Sequence, residues 1–127
     1  MNILDENIIY NQCLFLKNKR IPFRQIGHQI GHKGIEDREI ISLLHNLKNP
    51  TFFTRDNDFY QSKLCHNQYC IVFLAVKKDE VGIFIHRFLH HENFNTVKKR
   101  LGSVVKITHT NISIKKLNFE KEIKITW

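Results

Sequence analysis

"YCIVFLAV", residues 69–76, decides how the chain is read. It is eight nearly continuous apolar residues with no polar alternation. Such a run is the signature of a strand covered on both faces, which belongs inside a parallel sheet flanked by helices. Upstream, "NIL" (2–4) is a short strand running into Asp5. "ENIIYNQCLFLKNK" (6–19) is too long for a strand, lacks Gly and Pro, and reads as a helix. "IPFRQIG" (21–27) begins a second strand, with Pro22 tolerated near its start. Gly27, Gly31 and Gly34 mark a loop over 27–36. "DREIISLLHNL" then sets Ile40, Leu43, Leu44 and Leu47 on one helical face, with Asp37 available as N-cap. "PTFFT" (50–54) is a third strand, and "FYQSKL" (59–64) a short helix.

Downstream, "EVGIFIHRFLHH" and "FNTVKKRLG" have helical patterns, with Gly102 placed as a C-terminal cap. "SVVKIT" (103–108) and "ISIKKL" (112–117) read as strands, and "KEIKITW" (121–127) as an edge strand or an arm. Strand–helix alternation of this kind predicts an α/β fold: a three-layer α/β/α arrangement, residues 1–127 as a single domain, around a mainly parallel sheet.

The totals agree with a globular domain. Of 127 residues, 42% are hydrophobic and 25% charged. No apolar run approaches the roughly 20 residues of a membrane helix. The start, "MNILDENIIY", lacks a basic segment and is interrupted by Asp5 and Glu6, so no signal peptide and a cytoplasmic location are expected. Cys13, Cys65 and Cys70 are expected to be free thiols. The formal charge is +8, unevenly spread: residues 1–64 hold nine Lys/Arg against seven Asp/Glu, and 65–127 hold eleven against five. A basic surface favours a polyanion such as nucleic acid, or an acidic protein. A merely soluble basic protein is the plainer alternative.

Against that background the acids are clustered. All seven in the first half fall in Asp5/Glu6, Glu36/Asp37/Glu39 and Asp56/Asp58. The first and third clusters follow strands, and the second opens a helix. In a parallel sheet, strand carboxyl ends and helix N-termini share one edge, where ligands bind at the switch in strand order. Converging carboxylates raise one another's pKa, and a divalent cation relieves the conflict. Oxygen-only ligands suit Mg²⁺ or Mn²⁺. The alternative is ordinary local structure, with Asp5 and Asp37 capping helices and Asp56 and Asp58 forming an Asx-turn.

"ILDEN" (3–7), "GIEDREI" (34–40) and "TRDNDF" (54–59), in that order, resemble the compact PIN-like ribonucleases. The motifs cover roughly residues 2–76, and the remainder follows only by element order. The resemblance implies a parallel α/β/α sheet, a Mg²⁺ or Mn²⁺ site and cleavage of single-stranded RNA. It also implies a toxin of a toxin–antitoxin pair, silenced by a protein antitoxin. Asp5 matches the first-strand acid, Asp56 and Asp58 the turn acids, and Asp37 and Glu39 the helix-opening positions. Catalytic candidates are therefore Asp5, Asp37, Asp56 and Asp58, with Glu39 added as a metal ligand. Which of Asp37 and Glu39 faces the metal stays open.

Arg24, Lys33 and Arg55 are candidate phosphate contacts near that edge, and Arg87, Lys98, Lys99 and Arg100 a general electrostatic track. "GHQIGHKG" lacks the ending of a nucleotide loop. His28 and His32 are loop candidates for substrate contact, surface histidines being the plainer reading. Cys65, His66 and Cys70 lack a second pair of zinc ligands, and His86 and His90 lack a third. A Ser or Cys hydrolase has no nucleophile elbow here. The competing expectation is a non-catalytic RNA- or protein-binding module. A nuclease acting on DNA also remains open. Free alternating edges in "ISIKKL" and "EIKITW" suit strand addition by a partner or a homodimer.

Overall fold

Every strand presents two faces, and what covers each face sets the architecture. The computed structural model describes residues 1–127. In chain order the elements are β1 (Asn2–Leu4), α1 (Tyr10–Asn18), β2 (Arg24–Gln25), α2 (Asp37–Asn46), β3 (Thr51–Thr54) and β4 (Cys70–Leu74). They continue with α3 (Val81–His90), α4 (Val97–Arg100), β5 (Ser103–Ile107), β6 (Asn111–Lys116) and β7 (Ile123–Thr126). Two 3-10 turns, Asn57–Phe59 and Ser62–Leu64, link β3 to β4.

One seven-stranded sheet runs in the order β2-β1-β3-β4-β5-β6-β7. Its first five strands pair in parallel, and β6 and β7 add antiparallel hairpins. The protein is thus α/β, with a mixed sheet and four helices. No helix is long and apolar enough to cross a membrane.

Alternation along the strands divides the core in two. Leu4, Phe53, Val72, Leu74 and Val105 face α1 and α3, meeting Leu16, Phe84, Ile85 and Phe88. Ile3, Phe52, Ile71 and Val104 face α2, meeting Ile40 and Leu44, and the first 3-10 turn adds Phe59. All of β4 is buried, as its continuous apolar run requires. Each fully buried Phe or Leu side chain contributes about 1.5–3 kcal/mol of hydrophobic stabilisation.

The crossovers carry an unusual feature. The connection β1–α1–β2 and the connection β4–α3–β5 step in opposite directions along the sheet, yet α1 and α3 cover the same face. The two connections therefore have opposite hand, although parallel crossovers are right-handed in about 98% of cases. Gly82 lets α1 and α3 share that face, since a Cβ there would stand 2.7 Å from the Phe15 ring.

Several local expectations change. The second strand shrinks to Arg24–Gln25, because the backbone turns at Gly27, whose φ is +83°. Asp37 is not the cap of α2; Glu36 occupies that position and makes no side-chain cap bond. The "FNTVKKRLG" helix is reduced to one turn, capped by the Thr96 hydroxyl accepting from the Lys99 N–H. The tail is a paired edge strand rather than an arm. Cys13, Cys65 and Cys70 are free thiols, as expected.

Candidate metal centre

From β1 the chain steps to β2 on one side, while β3 lies on the other, so the strand order switches between β1 and β3. The crevice beyond a switch point is where open α/β sheets take ligands. The residues leaving these two strands there are Asp5 and, one position past Arg55, Asp56.

Asp5 extends the β1–β3 ladder, its N–H donating to the Phe53 carbonyl at 2.9 Å. Its carboxylate is only 9% exposed as a residue, and both oxygens are engaged. The Thr54 hydroxyl donates to Oδ2 at 2.6 Å, and the Glu6 N–H to Oδ1 at 2.8 Å. The same Thr54 oxygen accepts the Asp56 N–H at 3.0 Å. One fully buried hydroxyl thus fixes both acid-bearing segments to each other. Beyond it, Asp56 Oδ1 accepts the Asp58 N–H at 2.9 Å, opening the first 3-10 turn. The Asx-turn anticipated as the plainer alternative is present, and it turns Asp58 back beside Asp56.

The third segment arrives with α2. Asp37 opens that helix without spending its carboxylate on a cap. Oxygens of Asp37, Asp56 and Asp58 all lie within 4.8 Å of one another. Asp5 is outside that trio but adjoins it electrostatically. Burial pushes the Asp5 carboxyl up, against the hydrogen bonds from Thr54 and Glu6, and the charges of Asp56 and Glu6 push the same way as burial. Partial desolvation, then the charges of Asp56 and Asp58, raise Asp37. Glu39 faces elsewhere, with Oε2 at 3.2 Å from His32 Nε2.

The donor set fits a hard divalent cation. It contains only carboxylate oxygens. No Lys, Arg or His forms an ion pair with any of Asp5, Asp37, Asp56 or Asp58; the chain's three ion pairs are His32–Glu39, Arg38–Glu36 and His109–Glu80.

Two supporting residues were not anticipated. Thr54 lay inside a quoted motif but had no role there. Buried Gln25 donates through Nε2 to the carbonyls of Asp5, Glu6 and Ile8 at 3.1, 3.3 and 2.8 Å, so it holds the backbone where it leaves β1. No pattern signalled it. Glu6 contributes differently, accepting the Gly34 N–H at 2.9 Å and tying the 27–36 loop to the site.

The basic candidates divide. Lys33 is exposed on the loop that Glu6 secures, and Arg55 precedes Asp56 with its Nε donating to the Val76 carbonyl at 3.1 Å. Arg24 is exposed on the short edge strand β2. Arg87 stacks on α3 over the Trp127 ring, 4.3 Å from its centroid. Lys98 and Lys99 precede β5 and so sit at the opposite end of the sheet from the acids. Arg100 must be withdrawn as a nucleic-acid contact. It is 6% exposed, donating to Thr51 Oγ1 at 3.0 Å and to the Phe94 carbonyl at 2.7 Å.

Thr54→Val keeps the side-chain shape but removes the bridging hydroxyl. It should destabilise the protein by about 1–3 kcal/mol in denaturant unfolding and weaken Mn²⁺ binding by calorimetry, with Thr54→Ser restoring both. A second expectation concerns pH. Asp5 and Asp37 hold their protons more tightly folded than unfolded, so their contribution to metal-free stability falls as pH rises from about 4 through their raised range. Melting curves of wild type and Asp37→Asn should diverge across that window, the variant becoming relatively more stable as pH rises. Saturating Mn²⁺ should reverse the order at neutral pH; parallel pH profiles would remove Asp37 from the charge cluster. No family model, curated protein or solved structure matches this chain.

Proposed function

We propose that the chain is a Mg²⁺- or Mn²⁺-dependent endoribonuclease with a PIN-like three-layer fold, acting on single-stranded RNA. The observation that carries the proposal is the trio of Asp37, Asp56 and Asp58, with oxygens within 4.8 Å and no basic partner. Repulsion within this cluster, in a chain of net charge +8, would be relieved by a bound cation.

Asp37, Asp56 and Asp58 would hold the ion, with Asp5 anchored behind Asp56 by Thr54. A bound divalent ion supplies charge neutralisation at a phosphate and a more acidic water. The protein supplies placement. Asp5 stays fixed because both its oxygens accept hydrogen bonds, and through Thr54 it holds the segment that carries Asp56. Lys33 and Arg55, on the segments bordering the acids, would orient the RNA backbone. Unpaired RNA is the substrate the resemblance implies, and proteins that read RNA mostly do so on unpaired segments.

A toxin role in the cytoplasm follows only from the resemblance, and with it a protein antitoxin. β7 closes the sheet with a free edge that such a partner, or a second copy, could extend.

Purified protein incubated with unstructured RNA should produce internal cuts with Mn²⁺ or Mg²⁺ and none with chelator. Asp56→Asn should lower the rate more than about 100-fold, since even partners of metal ligands cost 10–100-fold. RNA bound but uncut with every divalent ion would favour the non-catalytic binding module; an Asp56→Asn protein cutting at the wild-type rate would remove this site from the chemistry.

A further inference from the structure

The hairpins β5–β6–β7 are amphipathic in a way the acidic site does not explain. On one face Ile112 and Ile114 belong to the core under α3, and Ile123 and Ile125 pack against it. The alternate residues face the other way: Lys106 on β5, Asn111, Ser113 and Lys115 on β6, and Lys124 and Thr126 on β7. No residue of β6 or β7 belongs to the core that α2 covers, which ends at Val104 of β5. An antiparallel sheet ordinarily leaves one face wet, so exposure alone is unremarkable. The composition and placement of this face are what point to a ligand.

Each of the three strands contributes one lysine to it, and none is neutralised. The chain's ion pairs use no lysine at all. Tyr60, immediately past the Asp58 turn, lies over the same face, with Lys115 Nζ 4.3 Å and Lys106 Nζ 6.0 Å from its ring centroid. Glu122 accepts the Tyr60 hydroxyl, and Glu120 borders the same pocket as Lys115. Lys106 and Lys115 are therefore held against an aromatic ring, and none of the three lysines is in an ion pair.

Register then connects the face to the acids. Thr54, Phe73, Lys106, Ser113 and Lys124 are successive partners in one row across β3, β4, β5, β6 and β7. Neighbouring strands lie about 4.8 Å apart, so Lys106 and Lys124 stand roughly 10 and 19 Å along the sheet from Thr54. Thr54 is the residue that secures Asp5 and Asp56.

We propose that the helix-free face of β5–β7, where Tyr60 covers buried Ser113 and Lys106, Lys115 and Lys124 surround it, binds the backbone of single-stranded RNA and leads it to the acidic crevice. The substrate class rests on the ribonuclease reading; the surface rests on register and charge. Lys106 and Lys124 lie in one row with Lys115 two residues off it, and basic tracks set with aromatic rings are how unpaired strands are held.

The test is fluorescence anisotropy of a labelled single-stranded oligoribonucleotide in chelator, titrated with salt. Lys106→Gln/Lys115→Gln/Lys124→Gln should lower affinity and reduce the slope of log affinity against log salt by about 2, at 0.7 per lost phosphate contact. The charge-matched control Lys17→Gln/Lys19→Gln/Lys48→Gln, on exposed positions away from this face, should keep the wild-type slope. Lys124→Glu alone, at an exposed site, should weaken binding in the same direction and guards against misfolding of the triple variant. Equal losses in both triples, an unchanged slope, or tighter binding of polyglutamate than of RNA would overturn the proposal. The metal-free design separates it from the cleavage claim. A protein that binds through these lysines but never cuts keeps the surface and loses the nuclease. One that cuts RNA with an unchanged KM in the triple variant keeps the nuclease and loses the surface.

Discussion

The Thr54 hydroxyl is shared between two segments that the fold would otherwise leave independent. It donates to the Asp5 carboxylate and accepts the Asp56 N–H. It can do both only because β1 and β3 are parallel neighbours, in a register that places Leu4 opposite Phe53. That register depends on the two cores, since a slip of one residue would exchange the faces of Ile3 and Leu4. Packing of ordinary apolar side chains therefore fixes the position of the acids. The Asp56 turn then carries Asp58 round, and α2 delivers Asp37 from the far side.

The charge distribution gains a coherent meaning from this arrangement. An uncompensated negative centre lies at one sheet edge of a basic molecule. A cation at the centre and lysines around it would together attract a polyanion, each covering what the other cannot. The sequence of attachments along the sheet also separates tasks: Thr54 and Gln25 hold the acidic edge, while β6 and β7 extend the sheet beyond the core that α2 covers.

Much of this was legible in the sequence, for physical reasons that differ by element. The run at 69–76 could only be a doubly covered strand, and β4 is buried throughout. Acids just past apolar strands were legible because a parallel sheet gathers strand ends on one edge. The choice between Asp37 and Glu39 was not, because two residues turn a helix by about 200° and the start of α2 was displaced by one position. Arg100 was misread as part of a solvated "KKR" run. Its burial depends on Thr51 and Phe94, and the Thr51 contact joins residues 49 positions apart. The alternation in "ISIKKL" was visible, but the row joining Lys106 and Lys124 to Thr54 needs the hairpin register, which no local pattern supplies.

The claim on which everything else rests is that these carboxylates form one divalent-cation site. Crystals soaked in Mn²⁺ and measured for anomalous scattering test it most directly. The account predicts a peak bounded by Asp37, Asp56 and Asp58, lost in Asp56→Asn crystals. A peak at other carboxylates such as Glu36 or Glu39, or none between these three at millimolar Mn²⁺, would contradict it.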